Sequence, residues 1–378
     1  MLIDTTTEPA PQMAPSAVQP SGPVRDLVAL RRRRVLAETA AWLVRILLTW
    51  IASVIAFAVL AFFLVKLVPG DPVLVASGGR LSGEDYERAR AELGLDLPLW
   101  QQFGEYLMQL LRLDLGTSIV TGRPVAEDLA VRVPATLELI TLGLAGGVIA
   151  ALLLSHLVVT HKGSWWTRPL IAYARSAGAL PEYVLGIAFI FVFYTTLRLA
   201  PAPTGRLSPM LIAPPTTTGF SLLDALIAGD LRAFGSYAEH LTLPVLVMIV
   251  AHTAILMKTM IPSLDAAIDA PSTRFRIASG ASRRAVYIGI YRSALPSMIT
   301  MLGMLFGLFV GGAVVLEALF GLGGTGQYAV DAVNGSDVYA LRSVLVVIAA
   351  VCLAVYLLID IVNGVLDPRR RTGRKTEA

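Results

Sequence analysis

Apolar and polar positions along this chain alternate in long blocks. Six apolar blocks, at about 46–68, 137–160, 178–199, 242–262, 297–319 and 343–364, approach or exceed the roughly 20 residues a helix needs to cross a bilayer. Inside hydrocarbon an unpaired backbone N–H or C=O costs several kcal/mol, so only helices or closed barrels span it. Runs this continuous lack the alternation of barrel strands. The pattern predicts an all-α polytopic membrane protein with six transmembrane helices.

The polar blocks carry their own signals. In "LVPGDPVLV" (Leu67–Val75), Pro69 and Gly70 end the first span, Asp71 caps the next turn and Pro72 suits a first helical position. "LSGEDYERARAELGLD" offers Ser82 as an N-cap ahead of acids in the first turn. "PLWQQFGEYLMQLLRLD" reads as an amphipathic helix with Leu99, Phe103, Leu107, Leu110 and Leu111 along one face. Residues 70–136 are thus expected to form a small extracytoplasmic subdomain that packs on itself. Residues 1–23, rich in Pro, Thr and Ser, read as a disordered tail. The competing reading of the N-terminus as a signal peptide needs a short apolar region and a small-residue cleavage site; this run continues well past that length.

Composition excludes an ordinary soluble domain: 55% of the residues are hydrophobic and 15% charged, with a mean hydropathy of +0.68. The net charge of +4 is small, and its placement carries the information. Cations cluster at Arg31–Arg34, at Lys162 and Arg168, in "RFRIASGASRRAVYIGIYRSALP" (Arg274–Pro296), and at Arg369, Arg370, Arg371, Arg374 and Lys375. With six crossings all four clusters fall on one side, which the positive-inside rule makes the cytoplasm, together with both termini.

Catalytic signatures are missing. There is no G-x-x-x-x-G-K-[ST], no G-x-S-x-G, no H-E-x-x-H and no Cys/His group at metal-ligand spacing. "FGLGGTGQYAVD" (Phe320–Asp331) follows an apolar span and lacks the βαβ setting of a dinucleotide site. Cys352 stands alone and pairs with no other cysteine. His156 and His252 suit packing hydrogen bonds between helices. Ionisable residues at membrane depth are costly and often functional; Glu317, Asp360 and Glu138 are the candidates for a translocation path or gate, with Glu182 beside them. Each stands near the end of its predicted span, within reach of the interface. Lys66 and Arg45 are expected to snorkel toward the headgroups.

Seven stretches then occur in a meaningful order. They are "LVPGDP", "AELGLDLPLWQQFGEYL", "LDLGTSIVTGRPVAEDLAVRVPATLEL", "LPEYVLGIAFIF", "LTLPVL", "GGAVVLEALFGLGGTGQ" and "IDIVNGVLDPRRR", spread over about residues 45–371. In these the chain resembles the permease subunits of bacterial ABC importers of the dipeptide, oligopeptide and nickel family, specifically the first of the two membrane subunits. The resemblance implies a non-catalytic subunit of the bacterial cytoplasmic membrane, forming half of a pathway for peptides. ATP and Mg are implied on two separate cytoplasmic ATPase domains, with no cofactor on this chain. A second homologous permease and an extracytoplasmic substrate-binding protein complete the implied assembly. A nickel or other small-solute importer is the alternative within the family; an ATP-independent secondary transporter, or a scaffold without transport, is the alternative outside it.

The resemblance also divides the chain: 1–40 a tail with a basic anchor, 41–371 the permease domain with its subdomain 70–136 and a cytoplasmic coupling loop 263–296, and 372–378 a second tail. In the coupling loop Arg274, Gly280, Leu295 and Pro296 match the subfamily, whereas Phe275 and Arg276 stand where the wider family has alanines and Ser279 where peptide permeases have lysine. Arg276, Ala278, Arg283 and Arg284 complete the implied ATPase-docking set. Small residues there allow close backbone approach, and the arginines suit carboxylates on a partner. The same arginines also satisfy the positive-inside rule and suit contact with anionic lipid.

Overall fold

The computed structural model describes residues 22–366, apart from 68–70, 78, 177 and 180. The expected disorder of residues 1–21, the basic C-terminal tail and the Pro69–Gly70 stop lie outside the described residues. The described chain is helical: α1 Gly22–Val65, α2 Pro72–Ala76, α3 Glu84–Glu92, α4 Leu99–Leu111, α5 Val125–Thr160, α6 Thr167–Arg175 and α7 Glu182–Phe189, which continues as π-helix over Ile190–Thr196. There follow α8 Ser221–Ile227, α9 Leu231–Asp269, α10 Pro271–Ala278, α11 Arg283–Phe320, α12 Thr325–Asn334 and α13 Val338–Leu366.

Among the described residues five segments are long and apolar enough to cross a membrane: Thr39–Val65, Val125–Thr160, Leu231–Asp269, Arg283–Phe320 and Val338–Ile361. The predicted third span is shorter than its apolar run: Pro181 precedes the first turn of α7, so the apolar helix covers only Glu182–Thr196. α6 is separate from it. Tyr173 of α6 donates to the Val250 carbonyl at 2.5 Å, and Glu182 lies 3.1 Å from His252, so both flanks of the break meet α9 near its middle. A chain break at this depth is tolerated where neighbouring helices re-satisfy the freed backbone.

α5, α9 and α11 form the interior, with Met248, Leu256, Met257, Phe309 and Leu316 fully buried among them. The closeness of α5 and α9 follows from "GLAGG". A methyl group at Gly143 would strike Met248, and one at Gly146 would strike Ile249. In lipid no hydrophobic drive brings helices together, so close packing of small residues takes over. α1 pairs with α13 at the periphery and leaves Leu48, Ile55 and Leu60 exposed, as a lipid-facing helix should.

Several boundaries move outward from the apolar runs. α1 starts at Gly22, so residues 22–40, expected as tail and anchor, are helical; "LVALRRRRVLAETAA" consists almost wholly of good helix formers. α9 and α11 together absorb most of the expected loop 263–296. What remains between them is α10 and the turn at 279–282. Leu295 and Pro296 therefore sit inside α11, a span where neighbouring groups compensate for the lost backbone bond at Pro296.

The segment 70–136 also differs from expectation. α3 is preceded by Gly83 at φ 62°, with no side-chain cap, so Ser82 does not serve as its N-cap. Asp71 does cap: its Oδ1 accepts from the Val73 N–H at 2.9 Å. On α4 the inward face is Phe103, Tyr106, Leu107 and Leu110; Leu99 and Leu111 are exposed. Tyr106 extends the i, i+3, i+4, i+7 series that the aliphatic residues alone suggested. That face packs on Phe62 of α1 and Val346 of α13, so the subdomain rests on the spans and not only on itself.

Candidate functional site

α10 is a short helix between the ends of α9 and α11. Ala270 is extended, with ψ 141°, which breaks the chain from α9, and Pro271 opens α10 at a position needing no N–H partner. Thr273 Oγ1 donates to the Ala267 carbonyl at 2.7 Å, anchoring the first turn. The helix ends at Gly280, whose φ of +74° is a left-handed conformation that favours glycine. Ser282 Oγ then accepts from the Ala285 N–H and starts α11.

This construction presents an unusual surface. Arg274, Arg276, Ala278, Gly280, Arg283 and Arg284 are all exposed. Between the arginines Phe275 and Ile277 are also exposed, at 72% and 60%. Arg276 bends back over α11, filling the volume beside Gly289. Of the remaining residues in the expected docking set, Leu295 is half-buried and Pro296 exposed on α11. A cationic, partly apolar helix held by turns at both ends suits a protein partner better than water. Lys162, in the turn after α5, pairs with Asp265 near the end of α9 at 2.8 Å, so two of the cation clusters stand at the same end of the bundle.

Two of the three candidate acids are buried in the protein. Glu138 stands more than three turns into α5, which begins at Val125, and is 2% exposed. Its carboxylate accepts from the Ser221 and Leu222 N–H groups at 3.0 and 2.8 Å, at the start of α8. Arg206 lies 3.9 Å away. Glu317 is likewise buried and accepts from the Gly326 N–H at 2.7 Å, fixing the first turn of α12. Beside it Thr136 Oγ1 accepts from the Thr325 N–H at 2.9 Å. These two glutamates pin extramembrane segments onto spans. Asp360 is exposed on α13 and shares a shallow cavity with Trp42 and Arg45 of α1. The three candidates are not brought together.

The fourth acid, Glu182, is joined instead to a histidine expected only to pack. Glu182 and His252 meet at 3.1 Å. His252 Nδ1 lies 2.9 Å from the Met248 carbonyl, and the His252 ring stacks on Phe309 with centroids 3.6 Å apart. The Glu182 carboxylate fills the space beside Gly312. Seventy positions separate the pair, and its only sequence signal was an ionisable group in each of two apolar runs. His156 meets Tyr291 at 2.9 Å, the packing hydrogen bond expected of it. Among the described residues no group of three or more His, Cys, Asp or Glu side chains is arranged to hold a metal ion.

Known proteins agree with this picture. Residues 143–372 match the family model described as the binding-protein-dependent transport system inner membrane component. Residues 40–140 match the N-terminal model of such membrane components. A probable D,D-dipeptide transport system permease protein of Escherichia coli K12 is 34% identical over 313 residues, covering 82% of this chain and 92% of the relative. The dipeptide transport system permease protein of the same strain is 29% identical over 325 residues, 85% and 96% of the two chains. A di/tripeptide transport system permease protein of Pseudomonas aeruginosa is 30% identical over 325 residues, 83% and 94%. With both models matched in order and several apolar spans in place, the chain belongs to the binding-protein-dependent transport system inner membrane components, the permease family of ABC importers.

Proposed function

We propose that this chain is one of two homologous membrane subunits of an ABC importer for di- or oligopeptides. It crosses the membrane six times, the short apolar helix Glu182–Thr196 serving as the third crossing, with both termini in the cytoplasm. α10, with Arg274, Arg276, Arg283 and Arg284 around Phe275 and Ile277, is the surface on which a cytoplasmic ATPase docks. The observation that carries this reading is the exposure of that helix, held by Gly280 and Ser282 between two long apolar spans. The peptide substrate is supported by the relatives, which are dipeptide and di/tripeptide transport permeases.

In this reading ATP and Mg reside on the ATPase subunits, and this chain performs no chemistry. Closing of the ATPase pair moves α10, and α10 moves α9 and α11, to which it is joined at both ends. The spans then open toward the side where a binding protein delivers peptide, and hydrolysis restores the opposite state. Such a cycle requires contacts that differ between the two states. Gly280→Trp tests the docking: a large side chain at φ +74° on the docking face is expected to abolish ATP-dependent dipeptide uptake while the chain still reaches the membrane. Normal uptake by that variant would remove α10 from the mechanism.

A further inference from the structure

A cavity at the far end of the bundle from α10 has a volume of about 270 Å³ and lies where the ends of α1 and α13 meet α4. It is lined by groups of both charge signs. On one side are Lys66, just past the apolar segment of α1, and Arg342, in the second turn of α13. On the other are Glu92 and Glu105. Lys66 Nζ meets Gln102 Oε1 at 2.5 Å, and Arg342 donates to Gln109 Oε1 at 2.8 Å. Among the described residues neither cation reaches a carboxylate within ion-pairing distance. Among the described residues each has a neutral amide as its polar side-chain partner.

Two aromatic rings hold the guanidinium in place: Arg342 lies 5.1 Å from the centre of Tyr106 and 4.4 Å from that of Tyr339. Tyr106, 2% exposed, is one of the residues lining the cavity and backs the Arg342 guanidinium with its ring. The lipid-facing side chains Leu60, Phe63 and Leu64 stand immediately before Lys66.

We infer that this cavity binds the headgroup of a membrane phospholipid. The phosphodiester is held by Lys66 and Arg342, and the acyl chains run down the exposed apolar face of α1. Glu92 and Glu105 favour a headgroup that also carries an ammonium, which identifies phosphatidylethanolamine in preference to phosphatidylglycerol. The leaflet follows from the orientation proposed above; the binding does not depend on it, and the test below reads no transport.

The full-length chain is purified in mild detergent from a membrane containing both lipids, and retained phospholipid is measured by mass spectrometry. Phosphatidylethanolamine is expected to be enriched over its share of the membrane. Lys66→Gln and Arg342→Gln should each reduce retention about 5-fold, and Glu105→Gln should remove the preference over phosphatidylglycerol. Lys66→Gln disturbs no buried packing and keeps the test valid should Arg342→Gln fold poorly. Equal retention by wild type and Lys66→Gln would overturn the inference. So would displacement of the lipid by excess dialanine, which would make the cavity a peptide site.

Discussion

The Arg276 guanidinium occupies the space beside Gly289 that any larger residue there would need. This contact ties α10 to the first turns of α11 without a carboxylate. Gly289→Val should push Arg276 off α11. Because the displaced group is the end of a flexible side chain, stability should change by less than about 1 kcal/mol. Coupling should suffer more: dipeptide uptake per ATP hydrolysed is expected to fall at least about 5-fold. Uptake and ATPase activity measured together on the reconstituted complex check this.

The Glu182–His252 contact joins α7 to the middle of α9. His252→Ala removes a hydrogen-bonding partner from a largely buried carboxylate and a ring from the face of Phe309. Thermal unfolding in detergent should report a loss of about 1–3 kcal/mol. His252→Gln, which can still donate to Glu182, should recover part of it. An unchanged unfolding temperature in His252→Ala would show that the contact does not hold the short helix in place.

Glu138 predicts a local effect. Glu138→Ala leaves the Ser221 and Leu222 N–H groups without their acceptor, and each lost partner costs about 1–3 kcal/mol. The nearby Asp224 carboxyl is pushed up by burial, but hydrogen bonds from the Thr218 N–H, the Thr218 hydroxyl and the Gly219 N–H outweigh this and leave it below the usual carboxylate range. Hydrogen exchange should therefore accelerate at 218–224 in Glu138→Ala and spare α10.

The corner between α2 and α3 should depend on pH. Tyr86 donates to Asp71 Oδ2 at 2.6 Å, and that bond, with smaller help from the Val73 N–H, holds the Asp71 carboxyl below its ordinary value. A lowered folded value contributes stability above the unfolded carboxylate pKa of about 4 and loses it as pH falls through the folded value. Tyr86 is raised by the same bond, so its contribution is present below about pH 10 and is lost on further alkalinisation. Limited proteolysis between residues 71 and 92 should be slow at neutral pH and faster in acid. Tyr86→Phe should move the acid transition to higher pH.

How much of this was legible beforehand depended on the period of the signal. Long apolar runs located five of the spans, because a continuous run has few alternatives in lipid. They misplaced the ends, since amphipathic turns such as Val125–Leu137 carry no continuous hydrophobicity. The same runs did not show that Glu138 and Glu317 are buried against segments outside the apolar runs. The coupling loop implied by the resemblance ends at Pro296, yet Pro296 lies inside α11, where neighbouring groups compensate for the lost backbone bond. Pro181, by contrast, precedes the first turn of α7. The Glu182–His252 meeting was invisible because it depends on three helices converging. Gly280 was the one site position whose backbone role followed from its residue type alone.

The most direct measurement concerns the exposed Phe275. Phe275→Cys in a Cys352→Ser background puts a single thiol on α10, accessible to a membrane-impermeant maleimide. In inverted membrane vesicles carrying the full complex, the account predicts that this thiol is shielded and cross-links to an ATPase subunit, and that it becomes labelled once the ATPase is stripped away. Equal labelling with and without the ATPase, or labelling only from the opposite face of the membrane, would contradict the account.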